Sequence, residues 1–405
     1  MTFANVIELL IVIALCGFVI SFFFPWPSIM QFGQMSLMLL LLWRYALRKR
    51  SGRAIPLPVV ILSILFFLSL VLSAVISQNK DYFFFEYKAF KYFLVGGLLV
   101  TSALSEPYRK IVIIVLFASA AIDSLAGMLQ YIGPIRPAYG RLNGYAVIST
   151  LYAAKLAFIA GISTLLLIYR ERTLFRSLWG TIFLVVTAMM TWGGILLSGS
   201  RGTWLALPAG LLIILSIYNP KKALIVFFIL ITVMTATFSL DKNLWSRMVS
   251  LVQTQAYEDA KGSFGNRVEL LKGAFILFKS SPFLGVGSGD FQQEITTLVR
   301  DRHLREIPTT IHAHNVFVHI LATQGIIGLS LFAGLCAALL LWGMQLLRLY
   351  QGINGHIVLF CTLVVMLSGL SDYYFASPHY ALLWCISIGL FASIGSPVEQ
   401  IDACK

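Results

Sequence analysis

Thr309-Thr310-Ile311-His312-Ala313-His314-Asn315-Val316-Phe317-Val318-His319 holds three of the chain's six histidines. It stands where a long polar segment re-enters a hydrophobic span that runs on through Gly325 to Gly328. An apolar run of that length is the mark of a helix entering a bilayer, so this boundary sets the fold class. Histidine titrates nearer neutral pH than any other side chain. A cluster of them at a membrane boundary therefore points to proton transfer, to metal binding or to a plain interfacial role.

Composition agrees with the boundary. Of 405 residues, 59% are hydrophobic and 12% charged, with mean hydropathy +0.86. A soluble globule is about half apolar and about a quarter charged, so the chain reads as an all-α polytopic membrane protein. The formal charge of +13 does not indicate nucleic acid, because most of the basic residues lie in short loops between apolar runs. The first residues, through Phe24, lack a basic leader and a small-residue cleavage site, and read as a first span. Cys16, Cys336, Cys361 and Cys385 fall in apolar segments and Cys404 in the tail, which offers neither a disulfide framework nor a paired-cysteine metal site.

A helix needs about 20 apolar residues to cross the hydrocarbon core, which predicts about twelve spans here. They begin near Ala4, Ile29, Leu57, Lys88, Ile111, Ile148, Leu178, Thr203, Ala223, Asn315, His356 and Tyr380. The basic loops carry Arg44, Arg48, Lys49, Arg50 and Arg53, then Arg109 and Lys110, then Arg170, Arg172 and Arg176, then Lys221 and Lys222, and finally Arg348. All fall on one side, which the positive-inside rule makes cytoplasmic, together with both termini. The chain divides into spans over 1–240, an extramembrane loop over 241–312, further spans over 313–395 and a cytoplasmic tail over 396–405. The far side also receives the turn at 198–202, a loop over 133–144 with Arg136 and Arg141, and a short loop over 371–379.

Within the long loop, 266–278 reads as an amphipathic helix with Val268, Leu271, Ala274, Phe275 and Phe278 on its apolar side. Gly285-Val286-Gly287-Ser288-Gly289-Asp290 superficially resembles a phosphate loop but lacks a following Gly-Lys-Ser/Thr, and reads as a turn. A second helix is predicted over 291–305, ending in Arg300, Arg302, His303 and Arg305, a solvated face or a contact for an acidic substrate at the membrane surface.

An arginine cannot shed its charge and is costly near hydrocarbon unless paired. Arg201 lies in Ser198-Gly199-Ser200-Arg201-Gly202, whose small residues leave room for an anion beside a fixed positive charge. Arg267, opening the amphipathic helix, is a second candidate. A metal site is the rival reading of the histidines. At about 100° per residue His314 and His319 stand about 140° apart, and Asp290, Glu294, Asp301 and Glu306 are scattered among basic residues, so the ligand geometry is poor. Asp123 and Lys155 are the convincing intramembrane charges, and either pair structurally or mark a transport path.

His314-Asn315, nine residues, then Gly325-Ile326-Ile327-Gly328 fits the His-[Asn/Ser/Gln]-x9-Gly-x-x-[Gly/Thr/Tyr] pattern of bacterial O-antigen ligases. The chain also resembles that family in its span number, its long loop before the histidine, the Ser-x-Ser-Arg-Gly turn, the Arg267 helix and the glycine segment after Pro282. O-antigen polymerases and membrane O-oligosaccharyltransferases share much of this pattern. The resemblance implies a GT-C-like membrane glycosyltransferase of the bacterial inner membrane, with its site facing the periplasm. It would move O-antigen from undecaprenyl diphosphate to lipid A-core without a metal or other cofactor, in contact with membrane lipids and with no nucleic acid.

Carried over to this sequence, the family pattern puts Arg201 and Arg267 on the diphosphate and makes His314 the general base. His312 and Asn315 would orient it, and burial beside two arginines would favour its neutral form. Asp372 would fix an arginine or a sugar hydroxyl, His319 would pack within the span, and Arg136, Arg141, Arg300, Arg302 and Arg305 would hold acidic groups of the substrates. A polymerase, a protein-directed transferase and a transporter or flippase are the competing readings.

Overall fold

A computed structural model describes residues 3–21, 23–24, 55–79, 104–133, 143–146, 148–169, 175–240, 242–249, 263–308, 312–350 and 353–392. The spans expected near Ile29 and Lys88, the loop residues Arg136 and Arg141, the basic residues from Arg44 to Arg53 with Arg170 and Arg172, and the tail lie outside the described residues. Every other expected span begins within a few residues of a helix. These are α1 (Phe3–Ser21), α2 (Leu57–Ile76), α3 (Glu106–Ile132), α4 (Ser149–Ile168), α5 (Leu178–Leu197), α6 (Arg201–Tyr218) and α7 (Pro220–Leu240), then the short α8 (Lys242–Val249), α9 (Ser263–Ser280) and α10 (Phe291–Arg300), and finally α11 (Val316–Tyr350), α12 (Ile353–Gly369) and α13 (Pro378–Ala392). Seven of them are long and apolar enough to cross a membrane, and α1, α12 and α13 contribute shorter apolar runs. The protein is an all-α polytopic membrane protein.

Small residues decide which helices lie inside. α4 carries Ala153, Ala154, Ala157, Ala160 and Gly161, all buried. Gly161 takes the Phe360 ring of α12 where a Cβ would stand. Lipid tails are as apolar as leucine, so close backbone approach through such residues, rather than burial of apolar area, holds membrane helices together. α4 therefore packs against α5, α12 and α13, and α12 against α11 and α6. α7, rich in Leu, Ile and Phe, has few such residues and stays at the periphery, with most of its side chains exposed.

The intramembrane charges pair. Lys155 Nζ stands 4.0 Å from Asp123 Oδ2, and both side chains are buried. Asp123 Oδ1 accepts the Tyr145 amide at 2.8 Å, and Gln130 bonds both the N–H and the carbonyl of Gly144. The polar groups of α3 thus tie down the turn that leads into α4.

α11 is two helices end to end. Gly325 (φ 65, ψ −166) breaks it, and the freed backbone groups are taken up by the segment after α9. Val286 and Gly287 amides donate to the Ala322 and Thr323 carbonyls at 3.0 and 3.1 Å, and the Ile326 amide donates to the Pro282 carbonyl at 2.9 Å. Ser73 Oγ of α2 donates to the Thr323 carbonyl at 2.7 Å, and Ser69 Oγ to Gln324 Oε1 at 3.1 Å. A break near lipid is tolerated when protein groups satisfy it in this way. The loop is fixed to α2 as well, since Asp290 accepts the Gln78 and Asn79 amides at 2.7 and 2.8 Å. The glycine segment is a turn, as its sequence indicated, and its role is to fill the break.

A Cβ at Gly325 would collide with the Phe283 carbonyl, and its φ disfavours any other residue. Gly325→Ala is expected to cost at least about 1–3 kcal/mol from the backbone conformation alone. Gly17→Ala, where a Cβ meets nothing within 4 Å, serves as the control and should leave the thermal unfolding midpoint in detergent unchanged or slightly raised.

Two expectations for the loop are corrected. α9 packs through Leu270, Ala274 and Leu277, with Gly273 against Ile295 and Leu304, while Phe275 is exposed and Val268 and Leu271 are only half-buried. The helix is apolar on two sides, so its periodicity did not reveal which side meets protein. The second helix ends at Arg300 instead of running to 305. Arg302 takes a left-handed conformation (φ 60), and Leu304 and Ile307 turn back to join the cluster around Leu270.

Candidate active site

His314 stands one residue before the cap of α11, with a left-handed backbone (φ 49) that is uncommon outside glycine and marks functional positions. Asn315 accounts for the local fold. Its Oδ1 accepts the Phe317 and Val318 amides, each at 3.0 Å, and its Nδ2 donates to the Leu370 carbonyl at 3.1 Å. One side chain therefore caps the helix and pins it to the loop between α12 and α13. The left-handed step then turns His314 toward that loop, where its Nδ1 lies 2.9 Å from Asp372 Oδ1.

The same loop receives the arginine turn. Gly202 leaves space for Ser371, whose Oγ stands where a Cβ would be. The turn is held internally by the Ser200 amide on Ser198 Oγ and by a 3.1 Å contact between Ser200 Oγ and Thr203 Oγ1. The Tyr374 hydroxyl bonds to Ser200 and Thr203. Arg267 reaches the group from α9, since its charge acts on both Asp372 and Tyr374. Burial alone would raise the Asp372 pKa. His314, His312 and Arg267 outweigh burial and hold this carboxyl below its usual range.

His312 lies ring against ring with His314, centroids 4.5 Å apart, and also faces Tyr373. Burial pushes its imidazole down to about 3, with His314 and His319 adding to the effect and Asp372 opposing it. His319 is buried within α11 against Tyr373 and Phe291. The lowered His312 value has a consequence for stability. The unfolded chain takes a proton near 6.5 that the folded site refuses, so this contribution is complete above about pH 6.5 and is eroded as pH falls toward 3. Asp372 acts only lower, its contribution being lost as pH falls through a value below 3.8. The unfolding midpoint in detergent should therefore fall between pH 6.5 and 4, and His312→Asn should flatten that slope.

The structure thus brings together His314, His312, Asn315, Asp372, Arg267 and the turn of Arg201. Arg300 is exposed and paired with Asp301 at 3.2 Å, Arg302 is exposed, and Arg305 bonds Glu269 of α9 at 2.9 Å. Sequence reasoning gave Asp372 an arginine or a sugar hydroxyl as partner; the carboxylate feels the charge of Arg267 and in addition bonds His314. It missed Tyr374, for which only its place two residues after Asp372 gave a signal.

Ligand atoms of His312, His314 and Asp372 lie within 4.8 Å of one another, close enough to share a metal ion. Close to the histidines in sequence the carboxylates are scattered among basic residues. Asp372 supplies one from 58 residues away.

A family model described as O-Antigen ligase matches residues 186–333, the stretch that contains Arg201, Arg267, His314 and Gly325. A Haemophilus influenzae protein described only as uncharacterized is 27% identical over 156 residues, covering 36% of this chain and 38% of that protein. Over residues 186–333, rather more than a third of its length, the chain is similar to the O-antigen ligase family.

Proposed function

We propose that the protein is an O-antigen ligase. It moves a polysaccharide from undecaprenyl diphosphate to lipid A-core at the periplasmic face of the inner membrane, by a single inverting and metal-independent displacement. The observation that carries this reading is the 2.9 Å contact of His314 Nδ1 with Asp372, beside the charge of Arg267 and the Arg201 turn.

With its Nδ1–H donating to the carboxylate, the imidazole keeps the lone pair on Nε2 for a substrate. Nε2 takes the proton of the acceptor hydroxyl as that oxygen attacks the anomeric carbon. The bond from that carbon to the diphosphate oxygen breaks, and the electron pair leaves with the diphosphate. Asp372 stabilises the imidazolium that forms. Arg201 and Arg267 take up the charge developing on the leaving group, which guanidinium groups bind in bidentate fashion. Asn315 and His312 support His314, and Tyr374 joins the arginine turn to the Asp372 loop. Arg136, Arg141, Arg300, Arg302 and Arg305 remain candidates for acidic groups on the glycan or the core.

Purified protein incubated with lipid-linked glycan and lipid A-core should give an acceptor whose mass rises by the glycan. Elongated lipid-linked glycan instead would identify a polymerase, a glycosylated protein would identify an O-oligosaccharyltransferase, and no transfer to any acceptor would favour a transporter. The grouping of His312, His314 and Asp372 supports a second reading, in which these three residues would hold a divalent ion that would help stabilise the charge of the leaving group. Chelator is expected to leave the rate unchanged. Loss of activity with chelator and its return with a divalent ion would select the metal mechanism instead.

A further inference from the structure

We propose that the outward face of α9, together with the bend at 282–284, is seated in the hydrocarbon boundary of the bilayer on the leaflet at the His314 end. The Arg267 helix then lies on the membrane surface and does not stand away from it.

Two observations meet in this assignment. α9 has already used one apolar side, Leu270, Ala274 and Leu277, to pack on protein. About half a turn away it presents Val268, Leu271 and Phe275, the last 47% exposed, with Ile276 exposed beside them. Lys272 and Lys279 are interleaved and exposed; the Lys272 amine turns aside to Glu269 Oε1 at 2.8 Å, and the long stem of Lys279 can lie along apolar surface while its amine reaches water. A helix with one side on protein and another apolar side with lysines interleaved has the composition of an interfacial helix.

The bend that follows sets the depth. Phe283 is 69% exposed and Leu284 is exposed as well. Their segment is bonded to the break in α11, where the Ile326 amide meets the Pro282 carbonyl at 2.9 Å and the Ile327 amide meets the Phe283 carbonyl at 3.4 Å. Ile326 and Ile327 are themselves exposed residues of a spanning helix. Counted back from the basic residue Arg348, about 20 helical residues, the length that crosses the hydrocarbon core, end close to Ile327. Phe283 is thus level with the rim of the core and continuous with a surface that already faces lipid. An aromatic ring at that level is the usual membrane anchor. Acyl chains of the bilayer are the occupant this continuity selects.

Nitroxide labels read the depth directly and do not depend on activity. The native cysteines are replaced, labels are placed through Phe283→Cys, Phe275→Cys, Lys272→Cys and Ile327→Cys, and the protein is reconstituted in vesicles of phosphatidylcholine and phosphatidylglycerol. Collision with oxygen, which concentrates in hydrocarbon, is compared with collision with a water-soluble nickel chelate. At 283 and 275 oxygen is expected to dominate several-fold, as at the reference position 327, whereas at 272 the chelate dominates. Chelate access at 283 equal to that at 272 would overturn the proposal by placing the bend in water. Low access to both reagents would overturn it by showing a protein cover. A photo-crosslinking residue at 283 gives a second readout in the chain with its native cysteines. Phospholipid adducts support the seating, and adducts with a second protein chain overturn it.

Discussion

Replacing His314 with alanine is expected to lower transfer to lipid A-core about 10²–10⁴-fold, the usual worth of a positioned general base. Membrane insertion should persist, because the cap of α11 is made by Asn315 and not by His314, while the unfolding midpoint should fall modestly as the buried Asp372 carboxylate loses one partner and keeps the Tyr373 amide. Asp372→Asn tests the same step from the other side. An asparagine amide can donate to Nδ1, which would move the ring proton to Nε2 and remove the lone pair meant for the acceptor hydroxyl. The expected result is a fall in kcat of roughly 10²–10⁴-fold with the donor KM little changed. If Asp372→Asn kept full activity while His314→Ala lost it, Asp372 would be a structural partner of the histidine and not its orienting group.

The second large effect is expected at the arginines. Arg201→Ala should cost about 10²–10³-fold in kcat, as the loss of a preorganised donor to a developing charge does elsewhere. Arg267→Lys is the more discriminating variant. It keeps the charge that acts on Asp372 and Tyr374 but gives up the planar fork. A loss of roughly 10–100-fold is expected if two parallel bonds to the diphosphate are reduced to one. Steady-state rates with a lipid-diphosphate donor decide this, and full activity in Arg267→Lys would refute bidentate binding. Both variants leave the packed face of α9 and the turn at 198–200 in place, so insertion and unfolding provide the control.

The glycine pattern that carried the family resemblance has a structural explanation. Gly325 is required because the chain adopts a left-handed step where another backbone passes, and at Gly328 a Cβ would meet the Gln324 side chain that bonds Ser69. Asn315 is required as the cap. The pattern therefore encodes a helix that starts beside His314 and breaks at Gly325, and the break receives the segment that follows the Arg267 helix. His314 and Arg267 are brought to one place by that insertion.

Sequence by itself determined the fold class, the positions of the spans within the described residues, the turn at the glycine segment and the residues worth weighing. Hydropathy and helical period are local properties, and a bilayer reads them locally. The tertiary structure decided which groups meet. Asp372 lies 58 residues from His314, and Asp290 grips backbone 212 residues away, contacts that no local pattern specifies. It also decided which side of α9 is covered. Two apolar sides give one periodic signal, and only packing against Ile295 and Leu304 shows which of them is covered by protein.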